Sequence, residues 1–256
     1  MMKKIILLII AIIAIQFTEA QNELFQKKEY IFKGDTLRYR ILYPENYNSS
    51  LSYPLVVFLH GAGERGNDNE KQLTHGATLF TNSANRAQFP SIVIFPQCPK
   101  DEYWAPVSSR ENGFSYVVTK KATKPMQLVM RLIADLKKHE AVDKSRIYVT
   151  GLSMGGMGTF DLVCRKPKDF AAAIPICGGV SVERLKKVKH MPIRIYHGTA
   201  DNVVSPEHSK NAYAELKANG AKNVEIILYP EVGHNSWTNA FASPDFLSWM
   251  YSKQLK

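Results

Sequence analysis

The sequence predicts an α/β fold, a mostly parallel central sheet with helices on both faces. Three observations point there. Short β-branched runs alternate with longer helical patterns along the chain. Several of the runs are apolar throughout, as strands buried on both faces of a parallel sheet must be. The residues able to carry chemistry each follow directly after one of these runs, which gathers them on one rim of the sheet.

Taken in order, the extended runs are residues 30–33, 36–43, 55–59, 91–95, 146–150, 171–175, 193–196 and 224–229. The run 55–59 reads Leu-Val-Val-Phe-Leu and 146–150 reads Arg-Ile-Tyr-Val-Thr, compositions that fit a pleated, buried surface. Helical patterns occupy residues 126–139, 154–164, 182–187, 206–219 and 245–251. No internal repeat or low-complexity linker interrupts them.

With 256 residues the chain has the length for one core, so residues 21–256 are expected to form one domain. Its 45% hydrophobic and 22% charged content is ordinary for a globular protein and argues against disorder. Residues 1–20 are set apart as a signal peptide. Lys3 and Lys4 precede an unbroken apolar run of eleven residues, 5–15, and Thr18-Glu19-Ala20 offers a cleavage site before Gln21. Eleven residues are too short to span a bilayer, which takes about 20, so export is expected over a retained anchor. No cysteine follows the run, which argues against a lipoprotein signal. A secreted or periplasmic protein with no stable membrane span is the expectation.

Loss of Lys3, Lys4 and Glu19 lowers the formal net charge from +10 to +9. That charge favours anionic polymers such as acidic polysaccharide, although scattered lysines also serve simply to keep a protein soluble. Lys120, Lys121 and Lys124, and Lys186, Lys187 and Lys189, cluster without interleaved aromatics, which speaks against nucleic acid. Cys98, Cys164 and Cys177 cannot all pair; one disulfide plus a thiol and three buried thiols both fit. Their spacing matches no metal site, so neither a metal nor a cofactor is expected.

The strongest local signal is Thr150-Gly151-Leu152-Ser153-Met154-Gly155-Gly156, a G-x-S-x-G turn between a β-branched run and a helical pattern. Such a turn holds a serine hydroxyl above the sheet at a helix N-terminus, with glycines where backbone crowds backbone. A serine needs a base to take its proton. His234, in the Gly233-His234 pair after the last run, supplies it. His60 and His197 each close a run before a glycine and read as packed structural residues. His75, His139, His190 and His208 have no matched partner. Asp201, after the run 193–196, follows the serine and precedes the histidine, and its carboxylate would fix the imidazole tautomer. The glycine-rich turn His60-Gly61-Ala62-Gly63 then offers the Ala62 amide as an oxyanion donor beside Met154 N–H.

These stretches, with Pro96-Gln97-Cys98-Pro99, Trp104 and Gly233-His234-Asn235-Ser236-Trp237, resemble the α/β-hydrolase superfamily. They are similar in particular to its small exported esterases of the dienelactone hydrolase-like and predicted-peptidase group. Polyhydroxybutyrate depolymerases and feruloyl or acetylxylan esterases are similar in the serine and aspartate segments. The resemblance implies ester hydrolysis by Ser153, Asp201 and His234. Trp104 and Trp237 are expected to shape the substrate pocket, with Phe114 and Tyr116 on the same groove. Residues 64–90 and 100–123 are long enough to form a lid.

The leading expectation is a serine carboxylic ester hydrolase acting through an acyl-enzyme on acyl or feruloyl esters of polysaccharides. A serine peptidase of prolyl oligopeptidase type without a propeller is the second reading. A non-catalytic binding protein on a hydrolase scaffold is the third, and it would normally have lost a member of the triad.

Overall fold

In a computed structural model of the chain, residues 22–109 and 113–255 are described. The expected signal peptide lies outside them. Apolar runs buried on both faces explain the central strands of the sheet. The strands are β1 (Gln26–Phe32), β2 (Asp35–Leu42), β3 (Tyr53–Leu59), β4 (Ile92–Pro96), the short pair β5 (Val107–Ser109) and β6 (Ser115–Tyr116), β7 (Val142–Leu152), β8 (Ala172–Ile176), β9 (Ile193–Gly198) and β10 (Val224–Tyr229). Eight of them form one sheet in the order β1-β2-β4-β3-β7-β8-β9-β10, and β5 and β6 pair separately. The first two strands join antiparallel, and the block from β4 to β10 is parallel.

Helices cover both faces. The α-helices are α1 (Ala77–Thr81), α2 (Ser83–Gln88), α3 (Lys124–His139), α4 (Met154–Arg165), α5 (Glu207–Ala218), α6 (Trp237–Phe241) and α7 (Phe246–Tyr251). In β3, Leu55, Val57 and Leu59 face a core with Leu132 of α3, Phe160 of α4 and Leu216 of α5. Val56 and Phe58 point the other way, into a core with Phe80 of α1, Ala240 of α6 and Trp249 of α7. The period of two along one strand therefore feeds two separate cores. This is the α/β-hydrolase fold that the sequence implies.

The chain order places the chemistry. After β3 the chain steps to β4 on one side, and from β7 it proceeds through β8, β9 and β10 on the other. The order reverses between β3 and β7, so the loops leaving these two strands diverge and leave a crevice at their carboxyl ends. Of the two cysteine arrangements open from sequence, three buried thiols are found: Cys98, Cys164 and Cys177 are all unpaired. Burial pushes the Cys164 and Cys177 thiols up to about 12, which keeps them protonated and unreactive at neutral pH.

Candidate active site

Ser153 sits between β7 and α4 with φ 53° and ψ −117°. A non-glycine residue held there stores about 1–3 kcal/mol of backbone strain. The neighbours explain how the turn is held. A Cβ at Gly151 would lie 2.5 Å from the Gly155 carbonyl oxygen, and one at Gly155 would collide with the Leu59 carbonyl. Glycine at both positions lets α4 start directly against the end of β3. The Ser153 amide donates to Ile176 O at 2.9 Å, anchoring the turn to β8.

His234 follows β10 in a loop stitched to the loop after β9. Ala200 N–H donates to Val232 O at 3.0 Å, and Glu231 N–H donates to Thr199 Oγ1 at 2.9 Å. A Cβ at Gly198 would strike the Val232 and Gly233 carbonyls, so glycine there allows the two loops to close. The result is a continuous relay. His234 Nε2 lies 2.9 Å from Ser153 Oγ, and His234 Nδ1 lies 2.7 Å from Asp201 Oδ2.

Asp201 is fully buried and accepts four hydrogen bonds. Oδ1 takes the amides of Val203 at 2.8 Å and Val204 at 2.9 Å. Oδ2 takes His234 and, at 3.1 Å, His197 Nε2. Burial alone would raise its pKa, but the two imidazoles and two amides outweigh this and hold the carboxyl well below the usual range. It is ionised throughout the neutral range, as an imidazole-orienting group must be.

A model of phospholipase/carboxylesterase sequences matches residues 48–248, a span that holds Ser153, Asp201 and His234. The chain belongs to the phospholipase/carboxylesterase family of serine hydrolases. A solved thermostable esterase is 32% identical, with a TM-score of 0.83 over 92% of this chain and 64% of its own. Among curated relatives, a bifunctional acetylxylan esterase/xylanase from Neocallimastix patriciarum is 30% identical over 62% of this chain, which spans only 21% of that protein. A probable feruloyl esterase C from Aspergillus oryzae is 24% identical over 80% of this chain and 70% of its own length.

In this member of the carboxylesterase family the relay opens onto a cavity of about 380 Å³. Ala62 and Met154 line it from the two loops that flank the crevice. Met154 is the first residue of α4, so its amide has no acceptor within the helix. Gly61 beside it packs closely on the Leu152 and Glu64 side chains: a Cβ there would lie 2.8 Å from Leu152 Cδ1, a contact those side chains could relieve by shifting. His60 fixes this loop from below: its Nδ1 is 2.6 Å from Gly61 O, and its Nε2 accepts the Cys98 amide at 2.9 Å. That pattern puts the ring proton on Nδ1, and burial pushes the pKa down to about 4, so the imidazole is neutral.

The two tryptophans part company. Trp237 opens α6 on the cavity wall, with its ring centroid 5.4 Å from that of His234 and 5.3 Å from that of His75. Trp104 does not reach the cavity. It is 0% exposed, packs into the core where Gly158 leaves room, and donates its indole N–H to His60 O at 3.1 Å. The expectation that it binds substrate is corrected to one of support beneath the loop that carries Ala62. Phe114 lines the cavity, whereas Tyr116 packs on His208 at 5.2 Å. Glu64, His75, Tyr103 and Val203 are further wall residues that the sequence did not single out. His75 followed no strand and had no motif around it, so no local signal marked it. The long segments 64–90 and 100–123 supply Glu64, His75, Tyr103 and Phe114, and the loop after β9 supplies Val203.

Cys177, Asp201 and His234 also bring ligand-type atoms within 4.8 Å of one another. The thiol is protonated and the carboxylate is engaged by four donors, so the group fits proton relay and not metal binding.

Proposed function

We propose that the protein is an exported serine carboxylic ester hydrolase that forms an acyl-enzyme on Ser153, with acyl or feruloyl esters of polysaccharides as substrates. The observation that carries this reading is the unbroken relay from Ser153 through His234 to Asp201 at the edge of a 380 Å³ cavity. His234 Nε2 takes the hydroxyl proton as Oγ attacks the ester carbon, and Asp201 stabilises the imidazolium that forms. Oxyanion charge develops toward the amides of Ala62 and Met154, at the positive end of α4. The tetrahedral intermediate collapses, His234 gives its proton to the departing alcohol oxygen, and the acyl group stays on Ser153. Water then enters, loses a proton to His234, attacks the acyl carbon, and releases the acid and the serine hydroxyl.

Trp237, Phe114 and Tyr103 give the cavity flat apolar walls suited to an aromatic acyl group. Relatives whose names specify acetylxylan and feruloyl esters support the polysaccharide part of the reading. Export rests on Lys3, Lys4 and the apolar run 5–15 ahead of Gln21.

A panel of nitrophenyl and feruloyl esters tests the reading. Wild type should release the phenol or ferulate, and Ser153→Ala should lose at least about 10⁴-fold in kcat. Cleavage of peptide substrates with no action on esters would instead select the peptidase reading.

A further inference from the structure

A second, larger cavity of about 770 Å³ opens on the helical face between α3, the C-terminal end of α4 and the turn Val182–Val188. It is separate from the active site, because Ser153 precedes the first residue of α4 and Arg165 is its last, about 18 Å away along the helix. Seven of its fourteen lining residues are lysine or arginine, and none is aspartate or glutamate.

Two of the cations are held in place, and the exposed lysines around them have no counter-charge among the described residues. Buried Asp161 accepts Arg165 Nε at 2.7 Å and Arg184 Nη1 at 2.5 Å, so one carboxylate serves two guanidinium groups. Arg165 also donates to Lys120 O at 2.9 Å, which ties the lysine-bearing loop to the rim. Lys120, Lys121, Lys166 and Lys187 all line the cavity, and among the described residues no carboxylate pairs with them. Like charges gathered without counter-charges repel one another and focus a positive field into the cavity. An anionic occupant would relieve that repulsion.

The floor narrows the choice of anion. Buried Ala122 and half-buried Met130, with exposed Val118 and Ala134 at the rim, provide apolar surface against which sugar C–H groups can pack. No aromatic side chain lines the cavity, so unstacked bases would find no platform. We propose that this cavity binds a carboxylate-bearing polysaccharide, a chain containing uronic acid residues. The inference extends the polysaccharide-ester reading above. Held there, an ester-bearing acidic polymer would be presented to Ser153 at raised local concentration.

Binding to immobilised, fully de-esterified polygalacturonate tests the site without any turnover, so failure of esterase activity and failure of this site are separately visible. Neutral arabinoxylan and duplex DNA serve as comparison surfaces. Polygalacturonate should bind, weaken steeply with added salt, and be preferred over both comparisons. The triple variant Lys120→Gln, Lys121→Gln, Lys187→Gln should bind about tenfold or more weakly. A charge-matched variant elsewhere, Lys28→Gln, Lys217→Gln, Lys222→Gln, should stay within about twofold of wild type. Equal weakening in both variants would reduce the effect to net charge and overturn the site. No binding to polygalacturonate, or DNA bound as tightly, would overturn the ligand assignment. Unfolding midpoints of both variants, matching wild type, confirm that the comparison is between folded proteins.

Discussion

Asp201 Oδ2 accepts N–H groups from two histidines, and they serve different ends. His234 is part of the relay to Ser153. His197 is fully buried, with Nε2 also 2.9 Å from Val204 O and Nδ1 2.7 Å from Ser209 Oγ, so it cannot turn toward the cavity. It holds the carboxylate in the orientation that His234 needs. A hydrogen bond to a charged group contributes about 1.5–3 kcal/mol, and if that loss is felt in the transition state kcat falls about 10- to 100-fold. His197→Gln should show this fall with KM little changed, measured on a soluble nitrophenyl ester. Unaltered kcat would mean that the two loop amides position Asp201 without help. From sequence, His197 reads as a structural residue because it closes a strand before a glycine. Its contact with the Asp201 carboxylate emerges only when the loop after β9 turns back on the strand.

At the scale of elements, the approach of α4 to the end of β3 sets the geometry of the reacting groups. A methyl group at residue 155 would enter the Leu59 carbonyl, and backbone cannot yield as a flexible side chain does. Gly155→Ala should therefore displace the serine turn relative to the loop carrying Ala62. A displacement near 1 Å costs about 10²-fold in rate. Steady-state kinetics beside a melting curve would separate misplacement, in which activity falls and folding persists, from global unfolding.

The same junction carries an acid-sensitive histidine. His60 has an ordinary value of 6.5 and is pushed down to about 4 by burial. The unfolded chain therefore binds the extra proton first as pH falls. The contribution of neutral His60 is complete above about 6.5 and is lost between there and about 4, with a total of about 3 kcal/mol. Half-buried His208 is shifted in the same direction, whereas Asp201 titrates only below this window. Unfolding midpoints measured from pH 7 to pH 4 should drop steadily, and His60→Gln should flatten that drop. A wild-type midpoint constant down to pH 4 would contradict the assignment of a neutral buried imidazole.

Which elements were legible from the sequence follows from their length and periodicity. The strands from β3 onward in the main sheet are runs of aliphatic and aromatic residues, and α3 repeats its apolar positions through four turns, so both announce themselves. Helices α1 and α6 have five residues each, too few to establish a period, so the sequence shows no helical pattern there. Trp104 was misplaced for a different reason. Its position on a long segment after a strand suggests the rim, but the space that receives it is made by Gly158 on α4 and by the His60 carbonyl. That complementarity exists only between parts distant in sequence.

Across the whole molecule, the sheet order explains why one turn after β7 and another after β3 meet at a single crevice, while the loops after β9 and β10 bring Asp201 and His234 over it. Basic charge is gathered far from this crevice, at the opposite end of α4. The central claim is covalent catalysis by Ser153, and intact-protein mass spectrometry after rapid mixing with a nitrophenyl ester and acid quenching tests it most directly. A mass increase of one acyl group is expected, mapped by peptide digestion to Ser153 and absent in Ser153→Ala. Turnover of the ester with no acyl adduct, or with the adduct on another residue, would contradict it.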